Sequence, residues 1–204
     1  MEADESSEAG NASRILGNRD AAARVSITPT PVLEELQEAE FKDIWARIGA
    51  GLQFAYKYDN ARIDEQIQFY RDNPSYLQTV TERASPFIFE IVEEVERRGL
   101  PMELALLPIV ESAFNPNAVS PGNSVGLWQI GSSTAPILGL KRDWWYDGSR
   151  DPIASTSAAL DYLTTLQQMF DESWLLSLAA YNTGPGNVRK AINKNEVRDR
   201  DVDY

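Results

Sequence analysis

The chain has 204 residues and a formal net charge of −12, with 31 Asp and Glu against 19 Lys and Arg. That length allows one domain with a sizeable core, and the acidic balance argues against nucleic acid and anionic lipid as partners. The sequence has no Cys and no His, which excludes disulfides, thiolate chemistry, the commonest general base and the commonest metal ligand. Any catalysis must rest on carboxylates, hydroxyls or amides, with no metal or other cofactor expected.

The first half of the chain is predicted to be a tail followed by helices. Residues 1–28 are rich in Glu, Asp, Ala, Ser, Asn and Gly without a clear period, which is typical of a flexible acidic tail. Apolar spacing then predicts helices over residues 32–49, 61–72, 75–84 and 86–98. A loop is expected over 52–60, and Gly99 is placed to end the fourth helix.

One acid ends an otherwise apolar stretch in the middle of the chain. Leu104, Leu107 and Glu111 are spaced so that a helix beginning near Pro101 places them on one face. Pro108 lies inside that helix and is expected to kink it. Desolvation and the negative end of the helix dipole both disfavour the charged form of Glu111. A carboxyl group kept protonated near neutral pH suits general acid catalysis, while a solvated residue at a helix end fits the spacing equally well.

Turn residues and aromatics mark the region after this acid. Loops are predicted over 112–124 and 136–150, separated by a short helix that begins at Val125 or Gly126 and runs to about Ala135. The second loop carries Trp144 and Trp145. Exposed aromatics are usual where a protein stacks on sugar rings, but tryptophans more often pack as core anchors, and packing is the expectation here.

The last part of the chain is predicted to be helical. Asp151 and Pro152 form an N-cap and first-turn pair that opens a helix to about Phe170. An apolar helix over 174–181 follows, and a final helix is predicted from Asn187 to about Lys194. Because no strand pattern of useful length occurs, the predicted fold class is all-α with one domain.

Three short motifs follow one another along the chain: Glu111-Ser112-Ala113-Phe114-Asn115-Pro116, Gly126-Leu127-Trp128-Gln129 and Ala180-Tyr181-Asn182-Thr183-Gly184. Each alone is a weak signal, but the ordered set is specific. From about Phe41 onward the chain resembles the lytic transglycosylase SLT-domain family, which is goose-lysozyme-like. The resemblance implies a lysozyme-like helical domain, divided into a tail (1–28), a helical extension (29–98) and a C-terminally truncated catalytic domain (99–204).

The resemblance implies cleavage of the β-1,4 bond between N-acetylmuramic acid and N-acetylglucosamine in peptidoglycan. Glu111 maps onto the single catalytic acid of the family. It would protonate the glycosidic oxygen and then remove the proton from the C6 hydroxyl of muramic acid, which attacks its own anomeric carbon. The product would be a 1,6-anhydromuropeptide, and such an intramolecular nucleophile needs no second carboxylate.

Five residues map onto substrate-binding positions of the family: Ser112, Gly126, Gln129, Tyr181 and Asn182. The Gln129 amide can both donate and accept, which suits an N-acetyl group. Gly126 lets the backbone approach closely. Ser112 would hold the carboxyl or a sugar substituent, or only close the helix end. Tyr181 would lie beside the acid, although a Tyr ending an apolar helix is by itself more often a core residue.

The sequence departs from the family pattern at two places. Gly131-Ser132 stands where the family usually has an apolar residue and a proline, which would loosen the wall of the groove. Relatives also continue beyond the position of Tyr204 into a helical segment that closes the groove, and often into lysin-motif (LysM) repeats.

Peptidoglycan glycan strands are the implied partner, bound by a monomer in the periplasm or cell envelope. No apolar run approaches the roughly 20 residues that span a membrane, and no signal peptide is visible. The resemblance therefore implies an exported protein whose leader has been removed. Its full-length precursor would be membrane-anchored with LysM repeats, with an outer-membrane lipoprotein as one form.

Two other functions fit the same residues. The first is a lysozyme-type muramidase that hydrolyses the same bond, with Asp143, Asp147 or Asp151 as remote candidates for positioning water. The second is a non-catalytic peptidoglycan-binding module.

Overall fold

The part of the chain that the structure describes, residues 43–54 and 60–197 of a computed structural model, is mainly helical, with a long non-helical stretch over 113–151. The predicted tail over 1–28, most of the predicted helix over 32–49 and the last residues from 198 onward lie outside this part. The described residues fall in one compact unit that begins at Asp43. No described helix combines the length and the apolar character that crossing a bilayer requires.

Four helices precede the residues of the first motif: α1 (Ile44–Ala50), α2 (Ala61–Asp72), α3 (Pro74–Ala84) and α4 (Ile88–Arg97). The predicted helices over 61–72, 75–84 and 86–98 are confirmed to within two residues at each end. Asn60 caps α2 by accepting a hydrogen bond from the backbone N–H of Arg62 at 2.9 Å. Gly99 has a φ of 64°, the left-handed conformation that ends α4 as predicted.

The stretch that was predicted as one kinked helix up to Glu111 is two shorter helices. A 3-10 helix (Met102–Leu106) is followed directly by α5 (Leu107–Ser112). Pro108 lies in the first turn of α5, where a missing N–H removes no intrahelical hydrogen bond. The predicted kink is therefore wrong, because the α-helix begins anew at the proline instead of running through it.

The predicted short helix over residues 125–135 is also wrong. Two short strands, β1 (Ser124–Val125) and β2 (Ile130–Gly131), pair antiparallel with Val125 opposite Ile130. The four residues between them include Gly126 at a φ of 80° and Gln129 at a φ of 47°. A right-handed helix cannot contain these two left-handed residues, so the Gly126–Gln129 motif forms a hairpin loop.

Three helices complete the described chain: α6 (Pro152–Met169), α7 (Trp174–Thr183) and α8 (Pro185–Val197). The predicted cap of α6 is confirmed, since Asp151 accepts hydrogen bonds from the backbone N–H groups of Ile153 and Ala154 at 2.9 and 3.0 Å. The last helix begins two residues before Asn187, whose side chain instead donates to the carbonyl of Thr183 at 2.8 Å. Apart from the hairpin, the predicted all-α fold class is confirmed.

One hydrophobic core joins the helices before and after the hairpin. Buried residues of α1, α3, α4 and α6 share it, and Leu160 and Leu163 of α6 are fully buried there. Each such side chain contributes about 1.5–3 kcal/mol through burial. A smaller cluster holds α7 and α8 on the other end of α6, around Leu166 and Phe170. Helix α6 is therefore the shared support for α4, the hairpin and α7.

Candidate active site

Glu111 is held by the way its helix ends. After Ser112 the chain enters the left-handed region at Ala113 (φ 50°) and Phe114 (φ 54°). The N–H groups of these two residues donate to the carbonyls of Ile109 and Pro108, both at 3.1 Å, which satisfies the end of α5. Phe114 is fully buried in the core. The acid thus lies within one turn of a residue anchored in the core, and its backbone position is fixed.

A cleft of about 510 Å³ opens in front of this acid. Its walls come from α5, the hairpin, α6 and α7. Four of the six predicted site residues line it together: Glu111, Gln129, Tyr181 and Asn182. The sequence motifs contribute residues as far apart in the chain as Glu111 and Asn182, and they meet at one site.

The environment of Glu111 favours its protonated form. Its carboxyl group is half-buried, and within the described residues it has no cation and no hydrogen-bond donor beside it. Burial raises the pKa of the Glu111 carboxyl above its ordinary value of 4.5. Among the described residues lining the cleft, Glu111 is also the single carboxylate. Within the described residues, the site therefore offers one carboxylic acid as a proton donor and no second acid that lines the cleft.

Tyr181 links the wall of the cleft to the hairpin loop. Its hydroxyl donates to the backbone carbonyl of Trp128 at 2.8 Å. Burial first, and then the negative charges of Glu111 and Tyr162, raise the pKa of Tyr181 far above its ordinary range. The phenol therefore stays neutral at physiological pH. Its hydroxyl donates to the loop backbone, and Tyr181 lines the same cleft as Glu111.

The hairpin loop is anchored in the core by its two middle residues. Leu127 and Trp128 are fully buried, and the Trp128 indole N–H donates to the Thr156 hydroxyl of α6 at 2.9 Å. Gln129 then faces the cleft, and its side-chain N–H₂ donates back to the carbonyl of Gly126 at 2.9 Å. The amide was predicted to serve as donor and acceptor, but its donor is used within the loop. What it presents to the cleft is an acceptor oxygen.

Ser112 and Gly126, the other two predicted site residues, lie behind the wall. The Ser112 hydroxyl donates to the carbonyl of Leu127 at 2.9 Å and so ties the end of α5 to the hairpin loop. Gly126 is buried against the backbone of Ser149, whose carbonyl oxygen would lie 2.1 Å from an added Cβ. These two residues brace the cleft, and neither is part of its lining.

Residues 89–203, more than half of the chain, match the family model of the transglycosylase SLT domain. The chain belongs to this family. It is 50% identical over 162 residues to membrane-bound lytic murein transglycosylase D of Escherichia coli (strain K12), covering 79% of this chain and 36% of that protein. It is 45% identical over 111 residues to a putative tributyltin chloride resistance protein of Alteromonas sp. (strain M-1), covering 54% of each.

The likeness of this SLT domain to solved structures is more distant. An inactive mutant of lytic transglycosylase Slt from Pseudomonas aeruginosa matches with a TM-score of 0.44 and 28% identity, over 50% of this chain and 17% of that one. The chain spans about a third of the length of transglycosylase D, the relative with the highest identity given above. Family membership rests on the sequence match.

Several residues lining the cleft of the SLT domain carried no functional prediction: Ser120, Ser124, Thr134 and Tyr162. Tyr162 lies on α6 two residues after the buried Leu160, and its ring centroid is 5.8 Å from that of Tyr181. A tyrosine beside a buried leucine stripe is a signal that could have pointed to it. The three hydroxyl residues lie in or beside turns, and only the folded hairpin brings them to the cleft.

Two observations concern side chains outside the cleft. Trp144 and Trp145 contact each other, but they are 80% and 78% exposed, so the expected core packing is wrong. Within the described part of the SLT domain, no group of three or more acidic side chains is arranged to hold a metal ion.

Removal of the Tyr181 hydroxyl is expected to destabilise the SLT domain. In a Tyr181→Phe variant the Trp128 carbonyl loses its donor within the protein, which should lower the free energy of unfolding by about 1–3 kcal/mol. Urea unfolding measures this difference. Tyr162→Phe is the matched control, because the Tyr162 hydroxyl has no hydrogen-bond partner among the described residues. Equal losses in the two variants would contradict this role of the Tyr181 hydrogen bond.

Proposed function

We propose that this SLT domain is a lytic transglycosylase that cleaves the β-1,4 bond between N-acetylmuramic acid and N-acetylglucosamine in peptidoglycan. The proposal rests chiefly on Glu111, a half-buried acid that is the single carboxylate among the described residues of the cleft. The names of the matched relatives, murein transglycosylase D and soluble lytic murein transglycosylase of Escherichia coli (strain K12), support the same reaction.

In the first step Glu111 acts as the general acid. Its carboxyl group donates a proton to the glycosidic oxygen as the bond from that oxygen to C1 of muramic acid breaks. The raised pKa of Glu111 supports this role, because a larger fraction of the enzyme then carries the proton at neutral pH. The N-acetylglucosamine side leaves as an alcohol, and Glu111 becomes a carboxylate.

In the second step the same carboxylate acts as the base. It removes the proton from the C6 hydroxyl of muramic acid, and the oxygen attacks C1 of the same sugar. The product is a 1,6-anhydromuropeptide, and Glu111 is protonated again without consumption of water. The nucleophile is part of the substrate, so its high effective concentration replaces a second protein carboxylate.

Neutral groups of the cleft are suited to hold the N-acetyl substituents and to face the charge that develops on the sugar. The Gln129 side-chain oxygen can accept from an acetamido N–H, because its own N–H₂ group is engaged by the loop. Tyr162 lines the cleft, and its hydroxyl has no hydrogen-bond partner among the described residues, so it is available to donate to the substrate. Both are dipoles positioned before the substrate arrives, which limits the reorganisation that the transition state requires.

The positions of the other acids argue against the muramidase alternative. Asp147 and Asp151 line a different groove, beside Trp145. The Asp143 carboxylate accepts hydrogen bonds from the backbone N–H groups of Trp145 and Tyr146 at 2.8 and 2.9 Å, outside the cleft. A hydrolase of the usual type needs a second carboxylate within about 5–10 Å of the acid, and none of these three lines the cleft.

Analysis of the products tests the proposal directly. The purified chain is incubated with peptidoglycan, and the released muropeptides are identified by mass spectrometry with and without reduction by borohydride. We expect 1,6-anhydro ends, which are 18 Da lighter than reducing ends and resist borohydride. Reducing muramic ends would establish the hydrolase instead. Binding without any release would support the non-catalytic module.

The location and partners of the protein follow from the same proposal. Peptidoglycan strands as substrate imply that the protein works in the cell envelope. Membrane attachment, LysM repeats and a monomeric state remain predictions from the sequence resemblance.

A further inference from the structure

A second groove, of about 910 Å³, lies on another part of the surface. It is formed by α4, the start of α6 and the loop before α6, and it shares no lining residue with the cleft. Its floor is mainly apolar, with Phe87, Ile91 and Pro152 among its residues. Trp145 and Tyr146 form one side. The proposed cleavage reaction makes no use of this groove.

The aromatic side of the groove is exposed to an unusual degree. Trp145 and Ile153, which line the groove, are 78% and 76% exposed, and Trp144, which contacts Trp145 but is not part of the lining, is 80% exposed. The two indole rings lie against each other with centroids 3.7 Å apart. Large apolar side chains that stay in water as a contiguous patch commonly mark a binding surface.

The loop that carries these tryptophans is held in place before any ligand binds. Asp143 accepts hydrogen bonds from the N–H groups of Trp145 and Tyr146. The Tyr146 hydroxyl donates to Asp151, the N-cap of α6, at 3.0 Å. A ligand that contacts the indole rings therefore loses little free energy in ordering the loop.

The charges around the groove favour a neutral ligand. Glu94 pairs with Arg97 and Arg98, and these two cations lower the pKa of Glu94 to about 2. Asp147 lies 3.6 and 3.7 Å from the guanidinium groups of Arg142 and Arg150. Of the other two acids that line the groove, Asp151 accepts hydrogen bonds as the N-cap of α6, and Glu90 has no ion pair among the described residues. The rim is therefore polar, with two of its four acids paired with arginines, around an apolar floor. Such a rim offers donors and acceptors to hydroxyl groups without a strong field for ions.

We propose that this groove is a second glycan-contact site, which takes β-1,4-linked N-acetylated sugars by stacking their C–H faces on Trp145 and Trp144. This inference rests on the proposed function, because peptidoglycan as the substrate is what supplies such sugars. Hydroxyl and acetamido groups bind the polar rim, and the apolar faces of the rings cover the indoles. The site holds the enzyme on the polymer while the cleft acts on a bond.

The exposed tryptophans themselves report occupancy of the groove. The test uses the full chain with the Glu111→Gln substitution, so that no cleavage occurs, and chitohexaose as the probe. Sugar that covers exposed indoles should shift tryptophan emission to the blue and reduce quenching by acrylamide. Among the described residues the cleft is lined by no tryptophan, and Trp128 behind its wall is fully buried, so sugar bound only in the cleft should leave the emission unchanged.

Trp145→Ala, added to the Glu111→Gln chain, is expected to weaken chitohexaose binding by at least about tenfold, since truncated tryptophans often dominate the loss at binding surfaces. Trp144 remains as the fluorescent reporter. Phe69→Ala, an aromatic that is 46% exposed on α2 outside both sites, is the control and should bind as the parent does. Trp145→Phe keeps a flat ring and should retain part of the affinity.

Four results would overturn the proposal. The first is an unchanged emission on addition of sugar, and the second is equal affinity of Trp145→Ala and its parent. The third is protection from acrylamide before sugar is added, which would mean that another part of the chain covers the groove. The fourth is protection that grows with protein concentration, which would indicate a second copy. All readouts use a chain that cannot cleave, so failure of the proposed reaction shows separately, in the product analysis.

Discussion

Glu111→Gln is expected to lower the rate of peptidoglycan cleavage by at least about a thousandfold while the fold is retained. An amide can neither donate the proton to the glycosidic oxygen nor accept one from the C6 hydroxyl, so both proposed steps lose their acid or base. General acid–base groups typically contribute 10²–10⁴-fold, and here one group serves twice. The rate of muropeptide release measures the loss.

The control for this change is Glu65→Gln. Glu65 is an exposed acid on α2 outside the cleft, and the substitution makes the same chemical change there. We expect cleavage close to that of the parent. Comparable losses in both variants, or a Glu111→Gln variant that cleaves within tenfold of the parent, would exclude Glu111 as the acid.

The same substitution should change how stability depends on pH. Because folding raises the pKa of Glu111, the folded state keeps a proton that the unfolded state has lost, between pH 4.5 and the raised value. The free energy of unfolding contributed by this group therefore falls as pH rises through that range. Glu111→Gln removes this effect, so the variant should be at least as stable as the parent at pH 7. The difference in the free energy of unfolding between the variant and the parent should shrink towards pH 4.

Gly126→Ala is expected to lower the free energy of unfolding by at least about 3 kcal/mol. At a φ of 80° an alanine is strained, and its Cβ would lie 2.1 Å from the carbonyl oxygen of Ser149, so the backbone must move. Gly126 also opens the loop that carries Trp128 and Gln129. Cleavage should therefore fall together with stability, as urea unfolding and muropeptide release would show.

Gly99→Ala separates the two causes of this loss. Gly99 has a φ of 64° and nothing within 4 Å of an added Cβ, so only the left-handed conformation is penalised there. We expect a loss of about 1 kcal/mol. If Gly126→Ala costs no more than Gly99→Ala, the contact with Ser149 does not constrain the loop.

Much of the helical fold could be predicted from the sequence because its signals are local. Apolar spacing, together with the Asp151–Pro152 cap of α6, placed helices α2, α3, α4 and α6 within a few residues. The Gly126–Gln129 segment misled the prediction, because the buried Leu127 and Trp128 also fit a helix. What decides the conformation there is contact with α6 and Ser149, which are distant in sequence.

In the candidate site, too, the local signals could be predicted from the sequence and the long-range contacts could not. Glu111 could be selected because an acid in an apolar stretch is visible in the sequence, and the motifs indicated that Gln129, Tyr181 and Asn182 accompany it. The direction of a side chain could not be predicted. Gln129 uses its N–H₂ donor within the loop. Ser112 and Gly126 support the wall of the cleft from behind. Tyr162 lines the cleft, although no function was predicted for helix α6.

Trp128 joins three parts of the protein through its backbone carbonyl, its indole N–H and its buried ring. The carbonyl accepts from Tyr181 of α7, and the indole donates to Thr156 of α6. Thr156 in turn lines the second groove, together with Trp145. Attempts to redesign substrate preference should therefore vary Tyr162 and Thr134, whose side chains can be exchanged without releasing the loop from its supports.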